Sequence, residues 1–261
     1  MISHFFRYWK IIFLSGILIP SLLYCSKEEI NGPTDGTPPR NYFPSNIGNN
    51  YSYEVVQIDS TGSSRNGSRF SQYTGDTTIN NINYTTQSED FLLDTTALIQ
   101  SSFFRKTSTG VFYLADTTGF SEIVPDSLVD FLSIPLESRA LLFPLAAGSV
   151  WPVFRVTVTN QQVSFSPLTV NGEYVEEEII TLYLLSGETD VDAIKVKYTF
   201  SLQEDPQQVP QLLNAFAWFA ADIGIVKLEG NAVLINLLIG GVDFSDTSST
   251  ITQSLIDYEI Y

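Results

Sequence analysis

Apolar and polar positions alternate along most of this chain in short runs broken by clusters of Gly, Asn, Asp, Ser and Pro. A period of two is the signature of a strand with one wet face, and turn clusters about every dozen residues signify antiparallel connections. Tyr51 to Ile58 reads as the first strand and ends in the polar stretch Asp59-Ser60-Thr61-Gly62, which continues to Asn66-Gly67. Strands follow near Phe70 to Thr74, Ile79 to Thr86 with Asn80-Asn81 as a turn, Ala97 to Lys106, and Val111 to Ala115. The longest strands come later: Trp151 to Thr159, Val163 to Val170, Glu173 to Leu185 and Val191 to Gln203, with turns at Val170-Asn171-Gly172 and Ser186-Gly187-Glu188. In Ile194-Lys195-Val196-Lys197-Tyr198-Thr199-Phe200 the alternation is strict, as in a sheet wet on one side. Leu212 to Ala221 begins a hairpin through Trp218-Phe219-Ala220-Ala221-Asp222-Ile223-Gly224-Ile225-Val226-Lys227. Ala232 to Val242 reads as a strand buried on both faces, and Thr250 to Ile260 as the closing strand. The fold class expected is mainly β: a curved antiparallel sheet, half-barrel or sandwich meander with one or two short helices.

One helix is predicted where Pro125-Asp126-Ser127 precedes Leu128, Val129, Phe131 and Leu132, with Asp130 three residues after Ser127 in a capping relation. It would be a plug closing the core or a lid, Asp126 to Leu132, over a lipophilic cleft. A phrase also repeats. Tyr42-Phe43-Pro44 leads through Gly48 to Tyr51, and Leu142-Phe143-Pro144 leads through Gly148 to Trp151. Each would stop one segment at proline, turn at glycine and begin a strand with an inward aromatic. The repetition 100 residues apart suggests halves 42–140 and 141–261 within one β domain, 42–261.

The first residues depart from this pattern. His4, Arg7 and Lys10 precede the apolar run Ile11 to Tyr24, which ends at Cys25, the only cysteine. A run of 14 residues spans roughly 21 Å as helix, short of the roughly 30 Å hydrocarbon core, so residues 1–24 read as a cleaved export signal. The run up to Cys25 resembles bacterial lipoprotein signals, in which the thiol takes a diacylglycerol before cleavage. Tyr24 stands where a small residue is usual. Ser26-Lys27-Glu28-Glu29 resembles the acidic export signal that sends Bacteroidetes lipoproteins to the outer face of the outer membrane; the other reading is a plain solvated tether on the periplasmic leaflet. Residues 25–41, with Gly32, Pro33, Gly36, Pro38 and Pro39, form a tether that cannot pack a core.

Removal of residues 1–24 takes two of the 13 basic side chains and no acid, leaving 11 against 29 and a formal charge of −18. Such a surface repels phosphate, so nucleic acid and anionic leaflets are not expected partners. Its only histidine, His4, leaves with the signal and Cys25 is taken by lipid, which excludes Ser-His and Cys-His nucleophiles, histidine zinc sites, disulfides and thiolate chemistry. No phosphate-binding or dinucleotide fingerprint occurs. Neither cofactor nor metal is expected. Asp190 and Asp192 share a strand face and could form a glycosidase pair or bind calcium, or be a solvated edge; no third ligand lies near them in sequence.

The lipidated start, the aromatic-Phe-Pro…Gly-Asn lead-in, the Trp218 to Lys227 hairpin and the closing Leu255-Ile256-Asp257-Tyr258 together resemble uncharacterised Bacteroidetes-type outer-membrane lipoproteins. Ser45 and Tyr51 depart from the pattern. The resemblance implies a curved sheet or half-barrel similar in outline to envelope lipid carriers, and no activity. It also gives meaning to the Asp-Ser/Thr steps at Ser60, Thr77, Thr95, Thr117 and Ser127, which look like Bacteroidetes O-glycosylation sites; the other reading is that Asp and Thr favour turns. The leading expectation is a monomeric, non-enzymatic, lipid-anchored envelope protein that binds an apolar or amphiphilic ligand, or a protein partner, in a concave β surface. The alternatives are a structural or adhesive module with a filled core, and a carboxylate enzyme acting on glycans. An interior packed by Phe200, Trp218 and Leu237 would exclude the carrier.

Overall fold

A computed structural model describes residues 40–115, 130–160, 163–203, 209–238 and 247–261. The alternating runs of the first half become β1 (Asn50–Ile58), β2 (Ser64–Ile79), β3 (Ile82–Leu93), β4 (Thr96–Thr107) and β5 (Gly110–Leu114), followed by the short β6 (Leu132–Ser133) and β7 (Glu137–Leu142). The second half supplies β8 (Val150–Asn160), β9 (Val163–Leu184), β10 (Gly187–Leu202), β11 (Gln211–Ala220) and β12 (Gly224–Asn231), then α1 (Ala232–Leu238) and β13 (Thr250–Glu259). All pairings are antiparallel, in the order β6-β8-β9-β10-β11-β12-β13-β1-β2-β3-β4-β5-β7. Both halves are meanders, and β13 joins them by pairing with β12 on one side and β1 on the other. The mainly β class is as the sequence predicts, and the sheet is unclosed, with β6 and β7 as its ends.

Turn chemistry fixes several registers. Asn80 and Asn81 both take positive φ, 51° and 63°, which the two-residue β2–β3 hairpin needs and asparagine tolerates. The two lead-ins make matching bonds. The Gly48 amide donates to the Tyr73 carbonyl (2.8 Å) and the Tyr73 amide to that of Asn49 (3.0 Å); the Gly148 amide donates to the Tyr174 carbonyl (3.3 Å) and the Tyr174 amide to that of Ser149 (2.9 Å). Both glycines have positive φ, 100° and 76°.

Three predicted elements are corrected. Val163–Val170 and Glu173–Leu185 are one strand, β9, which runs straight through Asn171-Gly172. Gly172 pairs with Trp151, and a Cβ added to it would lie 2.5 Å from the indole ring carbons. The glycine is there for close approach, not for a turn. Ala232 opens a helix instead of a strand, with the Asn231 Oδ1 accepting the Val233 amide at 3.1 Å as an N-cap. Ala232, Val233, Leu234 and Ile235 are all buried, and a helix buried all round carries no periodic signal to separate it from a buried strand. Of the predicted helix at 125–132, residues 125–129 lie outside the described residues; Asp130 and Phe131 make a single 3₁₀ turn, and Leu132 is already strand, paired with Val158.

The sheet curls until its ends meet. At β7 a bulge leaves Ala140 unpaired with β5, since Val111 faces Leu141 and Phe112 faces Arg139. The carbonyls there turn toward the far end of the sheet, where Trp151 Nε1 of β8 donates to Arg139 O (3.1 Å) and the Tyr198 hydroxyl of β10 to Ala140 O (2.7 Å). Side chains instead of a backbone ladder hold this seam.

Candidate functional site

The concave interior is the first place to look for function. Alternation along β2 turns Arg69, Ser71 and Tyr73 inward and leaves Phe70 38% exposed on the outer face. Alternation along β3 brings Gln87 and Glu89 to the same side. Arg69 and Glu89 are 2% and 1% exposed and form an ion pair in which Arg69 Nε (3.1 Å) and NH2 both donate to Glu89 Oε1. Gln87 Nε2 (2.6 Å) and Gln100 Nε2 (3.0 Å) donate to the same carboxylate. Arg69 NH1 reaches Gln253 Oε1 of β13 (3.0 Å), and its guanidinium lies 5.0 Å from the centre of the Tyr53 ring. The Tyr113 hydroxyl donates to Gln87 Oε1 (2.9 Å), and Gln87 Nε2 also donates to Ser71 Oγ (2.9 Å). Five strands thus contribute to one buried polar network.

Around this network the described residues pack the interior with side chains. Tyr51, Tyr73, Phe43, Phe104 and Tyr113 form a chain of ring contacts with centroids 4.8–6.3 Å apart. Where the two halves meet, Phe43, Tyr113, Leu141, Tyr198, Phe219 and Leu238 line a void of about 10 Å³, room for one water molecule and for no lipid chain. Phe200 is fully buried and Leu237 packs against the core. Trp218 is buried too, but not in the interior. Its neighbours Ala217 and Phe219 line the void, so Trp218 points to the opposite face. There Lys195 and Lys227 stand 5.2 Å and 4.6 Å from its ring centre, and its Nε1 donates to Glu178 Oε1.

The buried ionisable groups are engaged structurally. Burial pushes the Tyr51 phenol up to about 12 and those of Tyr53, Tyr113 and Tyr198 higher still, so none offers a phenolate at neutral pH. Glu137 is gripped by Arg105 through two 2.6 Å bonds and accepts the Tyr84 hydroxyl at 2.7 Å, and these hold its carboxyl below the usual range. Asp190 and Asp192 do share a face of β10. Asp190 accepts the Thr181 hydroxyl (2.7 Å), Asp192 lies 3.6 Å from Arg40, and among the described residues no three His, Cys, Asp or Glu side chains gather as a metal site.

The residues singled out from sequence do not converge. Cys25, Ser26, Lys27, Glu28, Glu29, Thr117 and Ser127 lie outside the described residues. Ser60 in the β1–β2 turn and Thr95 in the β3–β4 turn are exposed at one end of the sheet, while Thr77 is half-buried near the other end of β2. The Arg69–Glu89 network was missed by sequence reasoning, since its members are scattered from position 69 to 253. Its only signal is an Arg and a Glu alternating with β-formers in runs 20 residues apart.

No family model matches the chain, and no curated protein matches it significantly. Solved structures that align with this chain include a protein from Parabacteroides distasonis assigned as a lipoprotein, 13% identical, covering 85% of this chain and 100% of that one, with a TM-score of 0.46. A protein from Bacteroides fragilis assigned as exported and of YmcC-like fold is 12% identical over 84% of this chain and 99% of its own, with a TM-score of 0.45. The hypothetical lipoprotein YmcC of Escherichia coli is 11% identical over 79% of this chain and 84% of its own, at 0.33. At these values the likeness is one of outline.

Proposed function

We propose that this chain is a non-enzymatic, lipid-anchored protein of the outer membrane whose β domain works through a solvent-exposed surface on a protein partner. The filled interior carries this reading. Among the described residues, aromatic rings and a buried polar network occupy the space a cargo would need, and the void they leave beside Phe43 and Leu238, about 10 Å³, is too small for an acyl chain. The choice therefore moves from carrier to surface module.

The address rests on the leader ending at Cys25 and on the Pro/Gly tether. Export to the outer face is assigned to Ser26-Lys27-Glu28-Glu29, and O-glycosylation to Ser60, Thr77, Thr95, Thr117 and Ser127. The absence of histidine and of a free thiol from the mature chain, with Tyr51, Tyr53, Tyr73, Tyr113 and Tyr198 buried, supports a non-catalytic role. The acidic surface makes nucleic acid and anionic lipid faces unsuitable partners.

Mass spectrometry of the protein extracted from its native membrane tests the reading. The expected species begins at Cys25, carries acyl chains there and glycan elsewhere, and holds no stoichiometric lipid in addition. A Cys25→Ser variant is expected in the soluble fraction. A non-covalent lipid retained one per chain would overturn the filled-module reading and restore the carrier, while a mass equal to polypeptide plus acyl chains would remove the glycosylation.

A further inference from the structure

β9 and β10 outrun the rest of the sheet. β11 pairs with β10 only from Ala193 onward, the Ala221 amide reaching the Asp192 carbonyl at 3.4 Å, so Gly187 to Val191 pair with β9 alone and form a two-stranded arm. One face of the arm, with Ile180, Leu182, Leu184 and Val191, packs against the core. At its tip the Leu185 amide donates to the Ile256 carbonyl of β13 at 2.8 Å, which fixes the arm in place.

The opposite face is bare. Ile179, Thr181 and Tyr183 of β9 stand directly across from Asp192, Asp190 and Glu188 of β10. Ile179 is 71% exposed, Tyr183 67% and Leu185, just beyond the strand, 79%. An apolar stripe about 20 Å long thus runs beside an acidic stripe about 5 Å away. Arg40, 3.6 Å from Asp192, is the one cation paired with these acids among the described residues. Large apolar side chains left on a solvent face of a rigid ribbon are a feature of contact surfaces.

We propose that this face docks an extended segment of a partner protein whose side chains include one stripe of basic and one of apolar residues. The inference rests on the reading of the domain as a surface module and names the surface. Charge complementarity selects the occupant: Glu188, Asp190 and Asp192 repel anionic headgroups, nucleic acid and the same face of a second copy. Arg40 already does to Asp192 what a partner's basic residue would do to Asp190 and Glu188. The spacing selects an extended chain, because Ile179, Thr181 and Tyr183 recur every second residue, the repeat of another strand's face and not of a helix.

The test uses the full chain in neutral detergent, titrated with a synthetic cyclic hairpin peptide bearing Arg and Val on one face. Saturable binding is expected, weakening with salt, and absent for the same peptide with Glu in place of Arg. Ile179→Ser/Tyr183→Ser is expected to weaken it roughly tenfold; Glu188→Gln/Asp190→Asn is expected to weaken it similarly and to flatten the salt dependence. Ile99→Ser, an equally bare position on β4, is expected to leave it unchanged. No binding by the unaltered chain, or equal binding by the arm variants, overturns the proposal. Its failure is separable from that of the module reading, which falls only if a stoichiometric lipid is found in the interior of the same preparation.

Discussion

Glu89→Gln would remove the negative charge from the carboxylate that four hydrogen bonds reach, from Arg69 twice and from Gln87 and Gln100 once each, and leave the Arg69 guanidinium charged at 2% exposure. Breaking a buried pair in this way costs about 3–5 kcal/mol, because the surviving charge has lost its water and gained no partner. With a urea slope of about 3 kcal/mol per M for a domain of this length, the midpoint falls by about 1–2 M. Arg69→Met should cost a similar amount by stranding the Glu89 carboxylate. The double variant Arg69→Met/Glu89→Leu removes both charges, yet it takes one bond each from the amides of Gln87 and Gln100 and leaves the buried Gln253 amide stranded, which is worth about 1–3 kcal/mol. It is therefore expected to be destabilised, but by about 2–3 kcal/mol less than the sum of the single changes. Urea unfolding followed by tryptophan fluorescence and by circular dichroism supplies all four corners of the cycle. Single changes below about 1 kcal/mol that simply add would refute the reasoning, since they would mean that water reaches the pair.

Gly172→Ala is expected to lower stability by about 1–3 kcal/mol, read as a lower urea midpoint, because its methyl would sit 2.5 Å from the Trp151 ring carbons. Tyr198→Phe removes the donor to Ala140 O at the seam and should cost about 1 kcal/mol and speed amide exchange in β7 more than in β2; equal protection would mean the seam does not depend on that bond. Glu137 titrates lower in the folded chain than in the unfolded one, so its bonds to Arg105 contribute stability above the ordinary carboxylate range, near pH 4, and lose it as pH falls through the lowered folded value. Glu137→Gln should accordingly flatten the acid limb of a midpoint-versus-pH curve between about pH 5 and 3; an unchanged limb would place the acid sensitivity elsewhere.

Elements whose signal is local were legible in the sequence. Asn80-Asn81 is a two-residue hairpin since asparagine enters the left-handed region cheaply, and Trp218 to Lys227 is a hairpin because strand-formers flank Asp222-Ile223-Gly224, where Asp222 and Gly224 both take positive φ. The errors arose where a residue answers to a distant neighbour. Asn171-Gly172 has the composition of a turn, but its conformation is set by the Trp151 indole from the adjacent strand. The apolar run from Ala232 is equally consistent with strand or helix until Asn231 is seen capping it, and that cap is itself held by Asn231 Nδ2 donating to Thr247 O at 2.7 Å.

The candidate sites were less legible, and β2 shows why. Hydrophobicity alone would turn Phe70 inward and leave Arg69 and Ser71 in water; the chain does the reverse, because Glu89, Gln87 and Gln253 arrive from other strands to satisfy them. A buried polar network costs desolvation that an apolar core would avoid, but it also makes one register better than its neighbours: a slip of one residue would place Arg69 outside and leave Glu89 alone inside. Long strands such as β2 and β3, rich in Thr and Ser on their outer faces, have little else to fix their register. The network therefore serves the fold, which leaves the solvent-exposed surface for function. There the same alternation was misleading in the opposite sense: Ile179 and Tyr183 occupy positions that a strand pattern assigns to a core, and only the pairing with β10 beyond the end of β11 shows that nothing in the described chain covers them. A stripe that satisfies the rule for burial and is not buried is where a partner's surface would complete it.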